Sequence, residues 1–192
     1  MRETKTKAKI LPIVAYGDPV LKKVGEEIDD DYPNLGELVD NMFETMYNAS
    51  GVGLAAPQIG LSIRLFIVDA TPFCDEHPEL DGFTKVFINP IILEEDGKKW
   101  DFNEGCLSIP GIREDVSRKP KILIEYYDEN WELKEESYDG IAARVIQHEY
   151  DHIEGVLFTD HLPALKRRML KGRLNDITKG DIDVEYRMRF PK

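Results

Sequence analysis

A chain of 192 residues suits one domain with room for a substantial core. With 42% hydrophobic and 32% charged residues, and no apolar run near the roughly 18 residues that span a bilayer, the composition fits a soluble globular protein and excludes a membrane-spanning one. The net charge of −12 speaks against a DNA or other general nucleic-acid binder, although residues 162–192 carry nine Lys/Arg against four Asp/Glu and so run near +5, against −17 for the remainder.

Residues 1–8 carry charges of both signs before only a short apolar run, which is neither a secretory signal nor a transit peptide. Two cysteines, Cys74 and Cys106, make no disulfide framework, so a reducing cytoplasm is the expected location. Residues 9–14 are apolar and β-branched enough for a short strand or extended arm, and Gly17-Asp18-Pro19 turns the chain. Over 35–47 the apolar residues Leu35, Leu38, Val39, Met42, Phe43, Met46 and Tyr47 repeat at helical spacing, which predicts an amphipathic helix with its methionines in the core. Asn34 with Glu37 three residues on predicts a capping box at its start.

Gly51-Val52-Gly53-Leu54-Ala55-Ala56-Pro57-Gln58-Ile59-Gly60 follows, too rich in glycine for a regular helix and suited to a loop whose backbone a ligand can approach. Gln58 is its one long polar side chain. Residues 63–69 read as a strand, 71–85 as an acidic surface loop, and 85–93 as a strand that Pro90 interrupts with an edge or bulge. Cys74 and His77 in the loop have ligand-like spacing, but nothing near them in sequence completes a site. Residues 103–111 read as a short loop holding Cys106 among glycine and proline. A β-hairpin is predicted from 121–127 and 131–138, joined by Asp128-Glu129-Asn130, and Pro163 opens a last basic helix reaching about Ile177. The order of elements gives an α+β fold, one domain over 1–192 with a basic helix and tail at about 162–192.

Between hairpin and basic helix lies Gln147-His148-Glu149-Tyr150-Asp151-His152. Ile141, Val145, His148 and His152 share one helix face, and Gly155 supplies a left-handed stop. Two imidazoles one turn apart can hold a metal, with Glu149 about 100° around the helix as a base for metal-assisted hydrolysis. Metallopeptidases with this pattern need a third protein ligand. Phe158 stands where an extended motif places a third histidine, and no glutamate occurs between Glu154 and Glu185. Cys106 is the remaining candidate, and a thiolate with two imidazoles leaves the fourth tetrahedral position open.

Three stretches together resemble the signature motifs of the peptide deformylases: Gly51 to Gln58, Glu104-Gly105-Cys106-Leu107-Ser108, and Gln147 to His152. Tyr16-Gly17-Asp18-Pro19-Val20-Leu21 is similar to that family's N-terminal segment, and order and spacing agree from about residue 9 to 160. The 71–85 loop is longer than the family pattern, and the chain beyond Lys179 is not matched to it. The resemblance implies a peptide deformylase-like fold with antiparallel and mixed sheets around a central metal-binding helix. It implies Cys106, His148 and His152 as metal ligands, and Fe²⁺ as the ion, with Zn²⁺, Ni²⁺ or Co²⁺ as substitutes that the same donors accept.

The reaction it implies is attack of a metal-bound hydroxide on the formyl carbon of N-formylmethionine at the start of a new polypeptide. Glu149 serves as general base and then acid, and the amide of Gln58 with the backbone N–H of Leu107 holds the oxyanion. Gly53 is expected to present backbone to the extended peptide, and Val52, Leu107, Ile141 and Val145 to wall a methionine pocket. The basic residues Lys166, Arg167, Arg168, Lys171 and Arg173 suggest contact with ribosomal RNA. The competing readings are a metallopeptidase, which lacks its third ligand, and a silent metal-binding relative, which has no chemical reason to keep Gln58 and Glu149.

Overall fold

The computed structural model describes residues 8–191, so the charged start at 1–7 lies outside the described residues. Its centre is a five-stranded sheet in the order β2-β3-β4-β7-β8, antiparallel at every pairing. The strands are β2 (Gly53–Ala55), β3 (Leu65–Asp69), β4 (Thr84–Asp96), β7 (Lys121–Tyr127) and β8 (Leu133–Asp139). The two-residue period of a strand divides its side chains between two layers. Phe66, Val68, Phe87, Ile122, Ile124 and Tyr126 pack with Ile141, Ala142, Val145, Ile146 and Ile153 of helix α2 (Gly140–Ile153). Leu65, Ile67, Val86 and Ile88 turn the other way and pack with Val39, Met42 and Met46 of helix α1 (Leu35–Asn48). The sheet is thus filled on both faces, with the histidine helix on one of them.

A third cluster gathers the rest of the chain. The hairpin of β5 (Trp100–Cys106) and β6 (Ile109–Arg118) joins helix α3 (Ala164–Lys179) and strand β1 (Ile13–Val14) through Ile109, Ile112, Val116, Val14, Leu170, Leu174 and Ile177. Strand β1 pairs in parallel with β9 (Met188–Arg189), so the two ends of the described chain close on one another. The antiparallel sheet with this parallel pair and three helices is the α+β arrangement expected.

Several local readings change. Asn34 adopts a left-handed conformation (φ 56°) and makes no side-chain cap, while Glu37 pairs with Lys9 at 3.1 Å, so the capping box does not form. The arm at 9–12 is extended and pinned to α1, with the Lys9 and Leu11 N–H groups donating to Asn41 Oδ1 and Thr45 Oγ1 at 2.6 and 2.9 Å. The glycine-rich 51–60 stretch is ordered into β2 and a 3₁₀ turn over Ala56–Ile59. Residues 103–111 are the tip of the β5-β6 hairpin, so Cys106 ends a strand. Pro90 does mark a bulge: the β4-β7 register shifts between Ile88 and Ile91, and Asn89 takes φ 49°.

Candidate metal centre

Three elements converge on one point. Helix α2 presents His148 and His152 one turn apart, with ring centroids 5.2 Å from each other. The helix stops where the sequence says it should: Gly155, at φ 70°, lets the Val156 N–H reach back to the Asp151 carbonyl and its own N–H to that of His152. A Cβ at Gly155 would also come within 2.8 Å of the Lys22 backbone, so the tight stop lets the helix end dock on the segment before β2. The β5-β6 hairpin delivers Cys106, whose Sγ lies 3.2 Å from His152 Nε2. Donor atoms of Cys106, His148 and His152 all lie within 4.8 Å of one another, a group that could hold a metal ion.

The 3₁₀ turn after β2 supplies Gln58, buried with its carbonyl end fixed by the Ala55 N–H at 2.8 Å. That fixing turns its amide nitrogen towards the hairpin, where it donates to Cys106 Sγ and Ser108 Oγ, each at 3.4 Å. Glu149 is buried and borders the same cavity, of about 590 Å³, and its Oε2 has no partner among the described residues. Glycine at 53 is a spatial requirement, since a Cβ there would stand 2.4 Å from Glu149 Oε1.

The charges around this point are graded. Burial pushes the Cys106 thiol up, but the charge of His152 and the hydrogen bonds of His148 and His152 overcome it and bring the thiol down to about 5. A thiolate flanked by two imidazoles suits a divalent metal, with a fourth tetrahedral position left open. Burial holds the Glu149 carboxyl up at about 7, against the opposing charges of His148 and His152. A carboxylate so placed can both take and return a proton near neutrality.

Sequence reasoning missed the support behind these groups. Glu104 is buried and accepts from Arg118 at 2.8 and 3.0 Å, from Arg144 at 2.9 Å and from His148 Nδ1 at 2.9 Å. Tying Nδ1 leaves Nε2 of His148 to face Cys106 and fixes the ring's tautomer. Arg118 continues to Asp151 at 2.8 Å, and Asp151 to His161 at 2.7 Å. Arg144 lies over the Trp100 ring at 4.5 Å. Two signals were present: Glu104 stands two residues before Cys106, and Arg144 stands four before His148, a charge among apolar neighbours on a helix.

Of the expected pocket walls, Val52, Leu107 and Val145 line the cavity together with Gly53, but Ile141 does not. Ile141 lies two turns before His148, about 10 Å along the helix, and is buried between α2 and the sheet. Tyr186, from the tail that sequence could not place, does line the cavity.

The comparisons agree with this geometry. The model of the polypeptide deformylase family matches residues 10–168. The chain belongs to the polypeptide deformylase family. It is 63% identical to the peptide deformylase of Christiangramia forsetii over 190 residues, covering 95% of this chain and 96% of the relative. To that of Salinibacter ruber it is 45% identical, covering 92% and 93%. Among solved structures, the peptide deformylase of Thermus thermophilus superposes with a TM-score of 0.79 at 40% identity, covering 89% of this chain and 99% of that one. That of Legionella pneumophila gives 0.78 at 36%, covering 90% and 97%. As a member of this metal-dependent family, the chain is a hydrolase that removes the formyl group from newly made formylated peptides.

Proposed function

We propose that Cys106, His148 and His152 hold the catalytic metal, that the ion in the cell is Fe²⁺, and that Glu149, Gln58 and the Leu107 N–H do the chemistry beside it. The observation that carries this is the convergence of the three donors, two of which, Cys106 and His148, line a cavity with a buried carboxylate whose Oε2 has no partner among the described residues. When bound, a divalent ion supplies positive charge and an acidified water. Glu149 accepts the proton of the attacking water and hands it to the departing amine. Gln58, its carbonyl end already fixed, aims its amide at the developing oxyanion alongside the Leu107 N–H. The products are formate and a free α-amine.

Strand β2 is an edge of the sheet, so the backbone at Gly53 is free to pair with an extended N-formylmethionyl peptide. Val52, Leu107 and Val145 wall the methionine side chain, and Ile141 backs Val145 from the core. Iron is preferred on family resemblance; the donors themselves accept Zn²⁺, Ni²⁺ or Co²⁺. The test is formate release from formyl-Met-Ala-Ser by protein purified anaerobically, with bound metal quantified in the same sample. Turnover tracks one Fe²⁺ per chain, Cys106→Ala loses metal and turnover together, and Glu149→Ala keeps metal and loses turnover. Turnover by Cys106→Ala at the wild-type rate sinks the ligand assignment.

The chain works as one domain in the cytoplasm, and α3 meets the ribosome. No helix among the described residues is long and apolar enough to cross a membrane. On α3, Lys166 pairs with Glu114 and Arg173 donates to the Gly111 carbonyl, while Arg167, Arg168 and Lys171 have no ion pair among the described residues. Exposed Leu165 and Met169 lie among them. Co-sedimentation with ribosomes is expected to weaken with salt and to fall when these three cations become alanine. Equal pelleting of the two proteins refutes it.

A further inference from the structure

We infer that Tyr186 is a positioning residue for the deformylation reaction: its hydroxyl, carried on the C-terminal tail, holds the hairpin turn that presents the Leu107 N–H. The phenol donates to the Leu107 carbonyl at 2.7 Å across 79 residues of chain. The same turn is gripped from its other side, where the Tyr16 N–H donates to the Ser108 carbonyl at 2.8 Å. Both carbonyls of the two-residue tip between β5 and β6 are therefore anchored, and neither anchor belongs to the hairpin. The Leu107 N–H belongs to the peptide plane just before the Leu107 carbonyl, so holding the next two carbonyls restrains its direction through the Leu107 Cα.

The tail is built to deliver this hydroxyl. Gly180 ends α3 in a left-handed turn at φ 77°, where a Cβ would stand 3.3 Å from the Phe190 ring. The tail then returns to pair with β1, the Ile13 and Ala15 N–H groups donating to the Arg187 and Arg189 carbonyls at 2.9 Å each. The Arg189 guanidinium packs over Gly60, beside the turn that carries Gln58. Tyr186 sits at the entry to this strand and borders the cavity. Burial pushes its phenol up, so it remains a donor through the physiological range. Strand β1 runs directly into Tyr16, so the β1-β9 pair couples the two anchors of the turn.

This inference rests on the reading of the Leu107 N–H as an oxyanion donor, and the test separates the two. Removing one such donor outright costs about 10² to 10³ in kcat, and slackening it costs a part of that. Tyr186→Phe in the metal-loaded full chain is expected to lower kcat for formyl-Met-Ala-Ser about tenfold with KM within twofold. Metal content and melting temperature stay at wild-type values, and amide exchange at 106–108 speeds up by mass spectrometry. Tyr186→Ala falls at least as far. An unchanged kcat in Tyr186→Phe overturns the inference, as does a fall seen only in Tyr186→Ala, which assigns the effect to the ring. A fall that follows metal content overturns it too. Replacing the 106–107 amide by an ester, through suppression with the α-hydroxy analogue of leucine, removes the N–H itself. If that variant loses kcat while Tyr186→Phe does not, the oxyanion reading stands and only the anchor fails. If the ester variant keeps its kcat, the donor reading fails and the inference with it.

Discussion

Glu104 and Glu149 are both buried carboxylates that feel the charge of His148, and the chain treats them in opposite ways. Glu104 is gripped by two guanidiniums and an imidazole, and these hold its carboxyl far below the usual range despite burial. Glu149 has no cation of its own among the described residues, lies against the bare backbone of Gly53, and is raised to about 7 chiefly by burial. The first is locked in its charge and orients a ligand; the second is poised to change charge. Environment alone divides one residue type into scaffold and reagent.

The largest expected effect breaks the scaffold side. Glu104→Ala strands the buried Arg118 and Arg144 without their shared carboxylate, which costs about 3–5 kcal/mol of stability. It also frees the His148 ring, for about a 10- to 100-fold loss of metal affinity. Denaturant unfolding and metal titration read the two separately. Wild-type metal affinity in a folded Glu104→Ala protein contradicts the role in orienting His148. Glu104→Gln, which keeps part of the hydrogen bonding, is expected to fall between the two proteins.

On the reagent side the sign reverses. A carboxyl whose folded value is raised binds its proton more tightly folded than unfolded, so stability falls as pH rises from about 4.5 to about 7 and is flat above. Metal-free Glu149→Gln escapes this. It is expected to match the metal-free wild type near pH 4 and to exceed it by about 3 kcal/mol at pH 8. Urea midpoints across that range check it. Parallel curves for the two proteins mean that Glu149 is not held neutral by burial and remove the contrast with Glu104.

The reagent side was the legible one. His148, Glu149 and His152 are local in sequence, and a helical period places them without knowledge of the fold. The hairpin of β7 and β8 and helices α1 and α3 were equally readable from periodicity and turn residues. The scaffold side was not readable in this way. Trp100, Phe102 and Glu104 share the inner face of β5, but a charge at the third position hides the alternation, and Gly105, Pro110 and Gly111 imitate a loop. The partners of Glu104 come from 14, 40 and 44 residues away. The tail was further out of reach, because β9 is two residues long and exists only through its pairing with the opposite end of the chain.

A third carboxylate sharpens the comparison by removing burial from it. Glu136, on edge strand β8, collects Lys85 at 3.0 Å, the Tyr126 hydroxyl at 2.7 Å and the Tyr138 hydroxyl, a set of partners as rich as that of Glu104. Burial pushes its carboxyl up, but those bonds together overcome it and bring it down to about 2. The sign follows the usual acid case: the stabilisation is complete above the ordinary carboxyl range and is lost as pH falls towards 2. Its side chain is about a third exposed (36%), so water can replace much of what a mutation removes. Glu136→Gln is therefore expected to cost less than about 1 kcal/mol at pH 7, with metal content and turnover unchanged. If it cost as much as Glu104→Ala, the number of partners rather than their desolvation would set the energy of these clusters. The difference between scaffold and surface would then lie in what each cluster holds in place.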